Sequence, residues 1–60
     1  MNKVYKIKSG DGWFMYFGRD GQPFMSSDVA EAKVMLYGEA DRIANMIEAA
    51  GFVAEIVEVT

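Results

Sequence analysis

Residues 13–17 read Trp-Phe-Met-Tyr-Phe, an unbroken run of large apolar side chains. The turn formers Ser9-Gly10-Asp11-Gly12 and Gly18-Arg19-Asp20-Gly21 stand on either side of it. Aromatic enrichment between glycine turns marks a β-strand. Strand side chains alternate between faces, so Trp13, Met15 and Phe17 point one way and Phe14 and Tyr16 the other. The strand is therefore apolar on both faces, and a chain of 60 residues has to cover each of them.

The flanking segments supply one cover readily. Residues 3–8, Lys-Val-Tyr-Lys-Ile-Lys, alternate, with Lys3, Tyr5 and Ile7 on one face and Val4, Lys6 and Lys8 on the other. With residues 13–17 they predict a hairpin around the four-residue connection 9–12. Gln22-Pro23-Phe24-Met25 follows and can pair briefly with the second strand, but belongs at an edge or in a loop because Pro23 has no N–H. Ser26-Ser27-Asp28 signals a helix start, and Asp28 with Glu31 has capping-box spacing.

Two readings of the next stretch stand side by side. Val29, Ala32, Leu36, Ala40, Ile43, Ile47 and Ala50 form one stripe if a single helix spans 28–50. The compact run Val34-Met35-Leu36-Tyr37 and Gly38 favour instead a short turn at 28–32, a strand at 33–36 and a helix from Gly38. Glu39 and Asp41 then fall in its first turn, where the helix dipole favours acids. Ala49-Ala50-Gly51-Phe52 has the form of a glycine C-cap. Residues 52–59 close the chain as a strand apolar on both faces, which suits a place inside the sheet.

The predicted fold is α+β. A small, mainly antiparallel sheet of three or four strands, in the order ββ-β-α-β, carries one helix on one face, within a single domain over 1–60. The helix buries Ala40, Ile43, Ile47 and Ala50 against Tyr5 and Ile7. Either aromatic set of residues 13–17 can face it.

Composition narrows the chemistry. At 52% hydrophobic and 25% charged, the chain has the content of a folded domain. It has 0 Cys and 0 His, which excludes disulfide staples, zinc ligation by either residue, thiol nucleophiles and a histidine base. Asp11 and Asp20 precede glycines, as turn geometry alone requires. Gly18-Arg-Asp-Gly21 lacks the Gly-Lys-Ser/Thr ending of a phosphate loop. No enzyme activity, cofactor or metal is expected. No apolar stretch approaches the roughly 20 residues of a membrane helix, and no secretory signal opens the chain, so a cytoplasmic location is expected.

Without staples or metals, a domain this small most often gains stability by association. A homodimer is expected, with the second sheet face as the contact surface: Trp13, Phe14, Met15, Tyr16, Val4, Phe24 and Met25. The competing reading folds residues 18–27 back as a lid carrying Phe24 and Met25. An alternative function is single-strand nucleic-acid binding through Lys6, Lys8 and Arg19 beside the aromatics. Charge argues against it. The net charge is −3, positive over residues 1–25 but strongly negative over 26–60, and the pI is about 4.6.

The stretch Asp28-Val-Ala-Glu-Ala-Lys-Val-Met-Leu-Tyr-Gly-Glu-Ala-Asp-Arg-Ile-Ala, with Gly51-Phe-Val-Ala-Glu-Ile-Val-Glu-Val59, resembles short accessory proteins of tailed bacteriophages. The shared features are a Tyr/Lys-rich hairpin, an Ala-Lys-apolar strand, a Glu-Ala-x-x-Ile-Ala helix and a closing Glu-Ile-Val-Glu-Val strand. Gly38 departs from the pattern, standing where a Ser, Thr or Asp cap is usual. The resemblance implies a protein that binds a host defence protein in the host cytoplasm, often as a dimer. It carries over no site residues.

Overall fold

A computed structural model describes residues 3–59. Strands β1 (Tyr5–Ser9), β2 (Gly12–Phe17), β3 (Pro23–Ser26) and β4 (Glu55–Glu58) form one antiparallel sheet in the order β3-β2-β1-β4. Helix α1 (Tyr37–Ala49) packs on one face. The α+β expectation holds, and the brief pairing expected for 22–25 is realised as β3, while no full strand forms at 33–36.

The first hairpin is tighter than expected. Ser9 pairs with Gly12, leaving Gly10 and Asp11 as the loop. Gly10 has φ +60, the sign that the first position of a type II′ turn demands. At the second turn the Asp20 carboxylate accepts from the Gln22 N–H, 3.1 Å, and Gly18 N–H donates to the Gln22 carbonyl, 2.8 Å.

Phe14, Ile7 and Ile47 are the largest fully buried side chains, and Met35, Ala40, Ile43 and Ala44 complete the core. The helix stripe is Ala40, Ile43, Ala44 and Ile47. Ala50, expected in it, is exposed because the helix ends there. The glycine cap is realised as a Schellman motif: Phe52 N–H donates to the Ile47 carbonyl, 3.2 Å, and Gly51 N–H to Glu48, 3.0 Å, with Gly51 at φ +96. Of the two acids expected in the first turn, only Glu39 lies there.

Residues 28–36 follow neither sequence reading completely. A short 3-10 turn spans Val29–Glu31, capped by the Asp28 carboxylate on the Ala30 N–H, 2.9 Å. The expected capping box is replaced: Glu31 accepts from the Ser26 hydroxyl, which itself accepts from the Asp28 N–H. The predicted strand at 33–36 shrinks to one bridge, Met35 with Tyr5.

That bridge explains how the chain changes face. β1 and β2 pair only near their turn, at Lys8–Trp13 and Ser9–Gly12. Beyond it residues 33–35 occupy the gap between them. Lys33 N–H donates to the Phe14 carbonyl, 3.0 Å, and Tyr5 and Met35 exchange bonds of 2.8 and 3.0 Å. Just before, the Lys6 ammonium donates to the Val29 carbonyl, 2.7 Å. Alternation puts Lys6 opposite the buried Ile7, so the 3-10 turn crosses the outer face of the sheet, away from α1. Ala32 is buried there, outside the helix-side core. The second face is thus partly covered, by residues 28–32 and not by 18–27.

β4 corrects another expectation. It is four residues long, not eight, and lies at an edge of the sheet. Phe52 and Val53 are exposed before it begins.

Candidate interaction surface

A register break between Phe14 and Tyr16 decides which aromatics reach the surface. Phe14 pairs with Met25 and Tyr16 with Phe24, so Met15 is an extra residue in β2. Such a bulge shifts alternation by one. Phe14 and Phe17 consequently both serve the core side, with ring centroids 4.9 Å apart, although simple alternation assigns them to opposite faces. Phe14 is 1% exposed, and its assignment to a contact surface is therefore corrected. Met25, opposite it, is half-buried against the core and is corrected likewise.

Tyr16 and Phe24 remain outside. They are 55% and 48% exposed, and their rings stack at 5.2 Å across β2 and β3. Trp13 and Met15 are half-buried. Val4 is half-buried at the far end of β1, its carbonyl accepting from Val59 at 2.9 Å.

The gap between β1 and β2 adds two residues that the strand-based reading missed. The extended backbone that turns Met35 into the core turns Val34 and Leu36 the other way, to the face of Tyr16. They are 53% and 54% exposed. Phe24, Tyr16, Val34 and Leu36 therefore share the outer face at the open end of the hairpin, beyond the part that residues 28–32 cover. The signal for the second pair is the run Val34-Met35-Leu36-Tyr37, whose alternation around Met35 places its neighbours outward.

Lys6 and Lys8 are engaged away from these aromatics. The Lys6 ammonium is engaged by Val29. The Lys8 ammonium lies over the Trp13 ring, 5.9 Å from its centroid. Arg19 is exposed in the β2–β3 turn. Lys3 pairs with Glu58 and Lys33 with Glu39, at 3.8 and 3.7 Å, both on the surface where such pairs contribute little. Among the described residues no cluster of three or more acids comes together with metal-binding geometry, and no helix is long and apolar enough to cross a membrane.

The fold and surface define a small α+β domain with an apolar patch on its sheet. Comparison with protein families, curated proteins and solved structures finds no match.

Proposed function

We propose that this chain is a non-enzymatic protein-binding module that associates with a second copy of itself through the outer sheet face. One observation carries the reading: Tyr16, Phe24, Val34 and Leu36, each about half exposed, lie on one side of the sheet. Aromatic side chains bury 150–250 Å² each, so half-exposed residues of this kind present roughly 400 Å² together. Monomers seldom leave larger apolar patches open, and patches of this size are often functional. Doubled across a two-fold axis it comes to about 800 Å², the size of a weak, transient contact. The absence of Cys and His leaves association as the available means of adding to a small core.

The resemblance to phage accessory proteins supports a further partner, a host defence protein met in the host cytoplasm. That partner belongs to the same class of function, binding without catalysis.

Light scattering on a sizing column tests the reading across a dilution series. The expected species is about twice 6.7 kDa at high concentration. Tyr16→Glu and Leu36→Glu each give a monomer with unchanged circular dichroism. A wild-type monomer at about 1 mM, where even weak association is visible, overturns self-association. Variants that stay dimeric overturn the assignment of the face.

A further inference from the structure

We infer that the outer edge of β4 is a second, independent site, one that takes an extended segment of another protein carrying a basic side chain opposite Glu55. The two edges of the sheet differ. β3 is guarded by Pro23, which has no N–H, and by the register break opposite Met15. β4 has neither device. The bond from Val59 N–H to the Val4 carbonyl fixes its phase. In an antiparallel ladder Val57 and Glu55 then also bond inward to β1, and Ile56 turns its N–H and C=O to the open side. Such an edge is a template for one more strand.

Charge decides against a second copy at this edge. The outward groups allow antiparallel self-pairing with Ile56 opposite Ile56, or with Ile56 opposite Glu58. The first register makes Glu55 a diagonal neighbour of its own copy, and the second brings Glu58, already paired with Lys3, beside its own copy while offering Glu55 no cation. Like charges so placed oppose pairing.

The same acids favour a basic strand. Glu55 is exposed, and its cross-strand neighbour Lys8 directs its ammonium to Trp13 instead, with no ion pair to Glu55 among the described residues. Val53, 67% exposed, stands two residues away. A Lys or Arg of a docking strand lays its aliphatic stem on Val53 and sets its charge at Glu55. The net charge of −3 draws basic segments to the molecule.

Amide hydrogen exchange on the full chain, read by NMR, tests this with two probes: a short alternating Lys-Val peptide and its Glu-Val counterpart. Saturating Lys-Val peptide slows exchange at the Ile56 amide by about tenfold, as strand addition protects an edge N–H. Val57, already bonded to β1, changes little. Glu-Val peptide has no effect. Glu55→Lys reverses the preference, weakening Lys-Val binding by about fivefold, the scale of one cross-strand charge pair. Unchanged Ile56 exchange at about 1 mM Lys-Val peptide overturns the site, since millimolar affinity is the weakest that could serve. Equal responses to both peptides overturn the charge argument. Tyr16→Glu keeps the Ile56 response, so this site and self-association fail separately.

Discussion

Phe14 and Tyr16 stand two residues apart in one strand and meet opposite environments. Phe14 is 1% exposed among Ile7, Met35 and the helix; Tyr16 is 55% exposed against Phe24. Truncating a buried Phe costs about 3–5 kcal/mol, from lost transfer energy and the cavity left behind. A domain of this size has a total stability of the same order. Phe14→Ala is therefore expected to unfold most of the protein at 25 °C, read as loss of the urea transition baseline. Tyr16→Ala forfeits a surface ring contact and lowers stability by about 1 kcal/mol. Equal effects would place both rings in the same environment. Sequence alternation alone assigns Phe14 correctly opposite to Trp13 but groups it with Tyr16. The error lies at Met15. A bulge is a property of two strands in register, and its signature is in the pairing with Phe24 and Met25, not in the run 13–17 itself.

Elements whose signals are local were legible. The glycine turns, the edge position of Pro23, the Ile43–Ile47 stripe and the cap at Gly51 all depend on residues within one or two turns of chain. Elements set by distant partners were not. Residues 33–36 have the composition of a strand, but the space for them, between β1 and β2, accommodates only the Met35 bridge. Residues 52–59 read as apolar on both faces, yet the strand they form is only Glu55–Glu58, carries a glutamate on each face and lies at an edge. The helix ends give a paired prediction. A Cβ built on Gly38 meets nothing within 4 Å, and its φ is not in the left-handed region. Gly38→Ala is expected to raise stability by up to about 1 kcal/mol through helix propensity and lost unfolded-state freedom. Gly51 has the same empty surroundings but φ +96. Gly51→Ala is expected to cost about 1–2 kcal/mol, the penalty for a Cβ in left-handed geometry. Urea melts of the two variants should move in opposite directions. Movement in the same direction would mean that local packing, not backbone geometry, governs these positions.

At the scale of the whole molecule, the exposed area decides what kind of association to expect. The chain exposes 4046 Å². Surface scaling gives about 3,900 Å² for a compact monomer of this mass. A single copy thus buries what a folded monomer of its size ordinarily buries, and a second copy adds to a complete fold instead of completing one. Binding that favours the folded state raises its apparent stability by mass action. The melting temperature is therefore expected to rise with protein concentration, starting from a folded monomer at the dilute end. Leu36→Glu should abolish the rise while leaving the dilute value nearly unchanged, since Leu36 is 54% exposed and outside the core. Calorimetry or circular dichroism over a hundredfold range of concentration makes the comparison. A wild-type melting temperature independent of concentration would show that the outer face does not bind a second copy. A dilute-end value lowered sharply by Leu36→Glu would show that Leu36 contributes to the monomer core, with Val34 and Tyr16 left to carry any contact on that face.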